Sequence, residues 1–175
     1  MIELLAVAAM AILSMAWYPC CCDTLASCAY CSGTVPLNIR FSISGVAVGS
    51  CADCADCDAD YNCAWQGDEG DPPAGTCTWE SATGTRVCDA GTWYDVFARV
   101  TITYQNPPLD NYAVVGTLVF VNEFGNQFIA ERFRHDYGSS KPDCSAWSSY
   151  SLTYEDVGGT YVCDQSSATA TITSL

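Results

Sequence analysis

The pattern of apolar and polar positions changes character once along this chain. Leu4 to Tyr18 (LLAVAAMAILSMAWY) is apolar at every position except Ser14. A stretch apolar on all sides predicts a helix that needs burial all round, about 22 Å long at 1.5 Å per residue. That is short of the roughly 20 residues a bilayer span takes, and it suits a signal-peptide core. Ser14 and Ala16 stand three and one positions before a cut ahead of Trp17. The other reading is a retained helix packed inside an assembly, ended by Pro19. From Val35 onward the period becomes two. Leu37, Ile39, Phe41 and Ile43 alternate with Asn38, Arg40, Ser42 and Ser44. Tyr94, Val96, Ala98, Val100, Ile102 and Tyr104 alternate with a face marked by Asp95, Arg99, Thr101 and Thr103. Both read as strands with one buried face.

Tyr112 to Asn122 is more uniformly apolar and predicts a central strand. Gln127 to Arg134 should pair with it across a turn at Glu123–Asn126. Ser145–Glu155, Thr160–Cys163 and Ser167–Leu175 supply further strands. The last could close the sheet or be donated to a neighbour. With no amphipathic helix after Tyr18, the pattern predicts an all-β, disulfide-rich antiparallel β-sandwich carrying a short N-terminal apolar helix. Three segments follow: a helix over 1–18, a cysteine-rich collar over 19–34, and the sandwich over 35–175.

Cysteine content adds the second constraint. The chain has thirteen: Cys20, Cys21, Cys22, Cys28, Cys31, Cys51, Cys54, Cys57, Cys63, Cys77, Cys88, Cys144 and Cys163. This density points to disulfides in an oxidising compartment, hence secretion. An odd total leaves at least one sulfur free, paired between chains, or modified. His135 is the lone histidine, so no Cys2His2 zinc site can form. Cys28 and Cys31 make a CxxC with no βαβ context, which reads as a structural bridge and not a redox centre. Cys51, Cys54 and Cys57 are interleaved with carboxylates. Asp56, Asp58 and Asp60 alternate so that they can converge on a hard cation, and calcium is the one cofactor in view. A solvated acidic loop held by disulfides is the competing reading. Residues 66–91 are turn-rich, carry short strand pieces at Thr76–Trp79 and Thr85–Cys88, and look like an excursion from the sheet pinned by Cys77 and Cys88.

Charge narrows the partners. Six basic residues against twenty acidic ones give a net charge of −14, which repels phosphate backbones and anionic membrane surfaces. Nucleic acid is therefore not an expected partner, and a membrane is reached only through residues 4–18 if these are retained. The one basic cluster is Glu131-Arg-Phe-Arg-His-Asp136. His135 with Asp136 or Asp143 could serve a hydrolytic serine, but no GxSxG elbow supports it. Glu123 and Glu131 could in principle act as a carboxylate pair. Trp65, Trp79, Trp93 and Trp147 could stack on sugars or pack a core. None of this composes a catalytic constellation.

The run CSGTVPLNIRFSISGV, the later CADC, and SLTYEDVGGTYVCDQSSATATIT together resemble cysteine-rich β domains of uncharacterised secreted bacterial proteins of planctomycete type. The resemblance spans roughly Cys20 to Leu175 and implies no catalytic residues. The first eighteen residues resemble the N-terminal helix of pilin-type filament subunits, with Glu3 as the acidic residue near its start. Taken together, the expectation is a non-enzymatic extracellular structural protein. It would be a homo-oligomeric subunit of a surface filament or coat, assembled through the helix and β contacts. The alternative is a secreted calcium- or carbohydrate-binding module with a cleaved leader.

Overall fold

The computed structural model describes residues 26–44, 59–69, 76–82, 85–89, 92–105, 109–155 and 168–175. Nine strands run through them: β1 Asn38–Ser44, β2 Ala59–Glu69, β3 Thr76–Ser81, β4 Thr85–Asp89, β5 Thr92–Gln105, β6 Asn111–Asn122, β7 Gln127–Gly138, β8 Tyr150–Tyr154 and β9 Thr169–Ser174. A single 3-10 turn, Cys144–Ala146, is the one helical element among the described residues. Residues 1–18, where a helix was expected, lie outside them.

The strands do not form a sandwich. Each neighbour in the order β3-β2-β1-β9-β8-β7-β6-β5 is antiparallel, and β3 pairs again with β5, which closes eight strands into a barrel. Register fixes the closure, with Thr76 opposite Thr103 and Glu80 opposite Arg99. β4 continues along the same edge of β5 beyond β3, from Thr85 opposite Val96 to Asp89 opposite Thr92. The sandwich expectation fails for a physical reason. Period-two alternation reports that one face is buried but not whether the burying partner is a second sheet or the far wall of the same one. Two local readings also change. Ala59–Glu69, which reads as acidic loop and turn, is a barrel strand, while the short strand pieces at Thr76–Trp79 and Thr85–Cys88 are β3 and β4, both paired to β5 and so part of the sheet and not an excursion from it.

Inward residues fill the lumen. Ile39, Phe41, Trp79, Ile102, Leu118, Phe120, Phe133 and Ile172 are all without solvent exposure. β1 and β6 approach closely across the lumen. A Cβ added at Gly116 would lie 2.5 Å from the Phe41 ring, so the absence of a side chain there lets that ring reach the opposite wall. Phe41 also meets Phe133 edge-on at 6.1 Å.

The segment before β1 seals one end. Cys28 is bonded to Cys77 on β3, and Cys31 to Cys144 on the 3-10 turn. Backbone bonds from Ser32 N to Pro142 O and from Cys144 N to Ser32 O lie beside the second bridge. Buried Trp79 donates its Nε1 hydrogen to Pro36 O at 2.8 Å and packs between Trp65 and Trp147. Disulfides join the two cysteines of the CxxC to distant partners and not to each other. They fit an oxidising compartment.

Candidate ligand-binding face

A filled lumen leaves the outer surface as the place for chemistry. Because successive side chains alternate across a strand, register alone assigns the outward rows. One row runs Thr78, Thr101, Val115, Arg134, Thr153, Thr169, Ser44 across seven strands. The next runs Glu80, Arg99, Thr117, Arg132. Arg99, Arg132 and Arg134 are half of the six basic residues in the chain, and they share this wall. Between them on β6 lie the buried short side chains Ala113, Val115, Thr117 and Val119.

Each arginine is matched to a carboxylate. Arg99 Nε meets Glu80 Oε1 at 2.5 Å, Arg132 Nε meets Glu155 Oε2 at 2.9 Å, and Arg134 meets Asp136 Oδ1 at 2.8 Å. These pairs are partly exposed, so each contributes little to folding, about 0–1 kcal/mol. Their effect is to orient donors and acceptors and to make the wall locally neutral on a strongly acidic chain.

Two polar grooves lie on the wall. One, of about 460 Å3, is lined by Gln105, Arg134, Asp136, Thr153, Tyr154 and Glu155. The other, of about 400 Å3, is lined by Gln66, Thr76, Thr78, Glu80, Arg99 and Thr101. At the first, Asp136 Oδ1 accepts from Asn111 Nδ2 at 2.6 Å and from Arg134 Nε at 2.8 Å, while Asn111 Oδ1 accepts from Gly138 N. Partial desolvation works to raise the Asp136 carboxyl. The bonds from Asn111 and Arg134, with the charges of Arg134 and His135, outweigh it and hold the group below the ordinary carboxylate range. Nearby, Tyr104 donates to Asp110 Oδ1 at 2.6 Å. That bond, with some desolvation, pushes the phenol up to about 12. Asp110 takes a positive φ of 39°, which Asp tolerates in a tight turn.

The residues singled out in the sequence are mostly kept apart. Alternation splits the basic cluster of β7: Arg132, Arg134 and Asp136 face out, and Phe133 is buried in the barrel. His135 is exposed and sets its ring edge-on to Tyr137 and Tyr150, each at 5.0 Å. Tyr137 and Tyr150 stack at 5.7 Å, and burial raises both phenols, each influenced by the other. Asp143 accepts from Ser145 N at 3.0 Å and Ser145 Oγ at 2.6 Å, capping the 3-10 turn. Glu131 sits opposite Leu118, whereas Glu123 lies in the turn beyond Asn122, about five residues or ~17 Å along the sheet. That turn is the hairpin read from the sequence: Asn122 Oδ1 accepts from Phe124 N and Asn126 N, and Gly125 has φ 78°. Asp60 is exposed on β2 opposite Ser42, while Asp56 and Asp58 lie outside the described residues. Among the described residues no cluster of three metal-ligating side chains forms. Of the tryptophans proposed for stacking, Trp79 and Trp147 are core, Trp65 packs against it, and Trp93 is exposed.

Cys63 faces inward from β2, 1 % exposed and unpaired. Burial, with a smaller contribution from the Glu80 charge, pushes its thiol up to about 12. It is chemically quiet in the folded chain. Cys20, Cys21, Cys22, Cys51, Cys54, Cys57 and Cys163 lie outside the described residues, as does the side chain of Cys88.

What the sequence could not reveal was the outer wall itself. Glu80 and Arg99 meet only through register across β3 and β5. No protein-family model, curated protein or solved structure matches the chain. No helix among the described residues is long and apolar enough to cross a membrane.

Proposed function

We propose that this chain is a secreted, non-enzymatic binding domain that holds a neutral, hydroxyl-rich ligand of the carbohydrate class on the outer wall of its barrel. The observation that carries the reading is the groove bounded by Gln105, Arg134, Asp136, Thr153, Tyr154 and Glu155. Its volume, about 460 Å3, falls in the range of small-molecule sites. Its lining is almost wholly hydrogen-bonding, and Arg134, Asp136 and Thr153 stand on strands and not on loops. Carboxylate, guanidinium, amide and hydroxyl groups held at fixed spacing suit vicinal hydroxyls, which donate and accept at once. The net charge of −14 disfavours polyanions. The disulfides and the filled lumen support a rigid extracellular scaffold. Assembly by donation of the last strand has less support, because β9 is flanked on both sides, by β1 and β8.

An array of neutral and acidic glycans tests the reading. The folded protein should be retained on neutral glycans, and Arg134→Ala should weaken retention about tenfold or more, equivalent to about 1.4 kcal/mol. Retention on no glycan, or on acidic ones alone, would overturn it. So would an Arg134→Ala protein of unchanged thermal midpoint that binds as the parent does.

A further inference from the structure

The two grooves of the outer wall share a chemical set but not a direction. Each has one glutamine, an arginine engaged by a carboxylate, and threonine: Gln105, Arg134 with Asp136, and Thr153 in one; Gln66, Arg99 with Glu80, and Thr101 in the other. Glu80 and Arg99 stand on β3 and β5, and Arg134 and Thr153 on β7 and β8, three strands further round. Each strand of a closed eight-stranded barrel takes about 45° of its circumference, so the two groups point about 135° apart. The strip between them is closed. Phe97, Ala113, Val115, Thr117 and Val119 are all less than a tenth exposed. One ligand therefore finds no contact leading from groove to groove, and each groove is filled separately.

The grooves are also unequal. Tyr154 gives the first an aromatic face on which a sugar ring can rest. None of the described residues lining the second is aromatic, and its arginine is held on two sides, by Glu80 and by the Phe97 ring at 5.6 Å.

We propose that the Arg99 groove is a second, weaker carbohydrate site, and that the domain holds two separate neutral glycan chains at once and so cross-links them. This rests on the carbohydrate reading above and adds a second site and a bridging role. Two divergent sites on one chain join two polymers without a partner copy.

Calorimetric titration with neutral disaccharides of glucose, galactose, mannose and N-acetylglucosamine counts the sites. The parent protein should take two disaccharides per chain, the second about tenfold or more weakly. Arg99→Ala should remove the weak site and leave the tight one unchanged. Arg134→Ala should remove the tight site and leave the weak one. Retention of the untouched site shows that each variant is folded. Conservative Arg99→Lys, which keeps a positive charge beside Glu80, should restore part of the weak site. A sandwich assay then reads the cross-link. The parent, held on an immobilised polysaccharide of the sugar that binds, should capture the same polymer, fluorescently labelled, from solution. Either alanine variant should capture about tenfold less. One disaccharide per chain, lost with Arg134→Ala and indifferent to Arg99→Ala, overturns the second site while leaving the carbohydrate reading intact. Two disaccharides per chain without capture of labelled polymer overturns the cross-link. No binding of any sugar overturns this proposal and the reading on which it rests.

Discussion

At the sealed end of the barrel, Cys28 and Cys31 tie the segment before β1 to β3 and to the turn ahead of β8, over a bed of Trp65, Trp79 and Trp147. On the outer wall, the same β3 and its neighbour β5 meet through Glu80 and Arg99, two charges each about a third exposed. The first arrangement is covalent and apolar, and its members touch across long sequence distances, 49 and 113 residues for the two bridges. The second is a set of ion pairs that water can partly reach. The contrast teaches where each kind of interaction is useful. Bridges and buried rings stabilise the fold and fix the staves. Exposed ion pairs add little to stability but hold polar atoms in fixed directions, which is what recognition of hydroxyls needs.

The sharpest way to break this division is to cut the sealed end. Replacing Cys31 and Cys144 together by Ala should lower stability by about 2–5 kcal/mol, read as a fall in the denaturant midpoint. A loss below about 1 kcal/mol would mean that the bridge is incidental and that the barrel alone holds. A smaller effect is expected inside the lumen. Gly116→Ala puts a methyl group into the Phe41 ring and should cost about 1–3 kcal/mol by overpacking. An unchanged thermal midpoint would show room in the barrel and reopen the lumen as a ligand cavity.

The smallest effect belongs to the wall. Asp136→Asn should change stability at neutral pH by about 0–1 kcal/mol. The carboxyl of Asp136 is held below its ordinary range, so its contribution is present above the unfolded-state value and is lost as pH falls through the lowered folded-state one. The parent should therefore lose a small increment of stability on acidification that the Asn variant lacks. Parallel stability–pH curves for the two proteins would sink this account of the network.

The strands were legible in the sequence wherever alternation was clean. Tyr94 to Tyr104 reads directly as the inward and outward faces of β5, and the turn at Glu123–Asn126 as a hairpin. β2 was obscured by its own composition. Tyr61, Cys63 and Trp65 alternate inward, yet the cysteine and aspartate density around them suggested a loop. Closure was not legible at all, since β3 with β5 and β1 with β9 are long-range pairings that depend on register. The polar outer wall was lost for the same reason. Arg134 and Asp136 are near neighbours in the chain, but the row that joins Thr78 to Thr101 and Arg134 exists only once the barrel is closed.

Cys63 has a consequence for the covalent state of the chain. Two bridges and this one interior thiol account for five of the thirteen cysteines. The eight that remain are an even number, so parity compels no sulfur to reach another chain. The Cys63 sulfur is stored where oxidants do not meet it. Only opening the barrel returns it to an ordinary thiol acidity, and an ordinary thiolate attacks disulfides. Folding thus disarms this thiol, and prolonged unfolding rearms it.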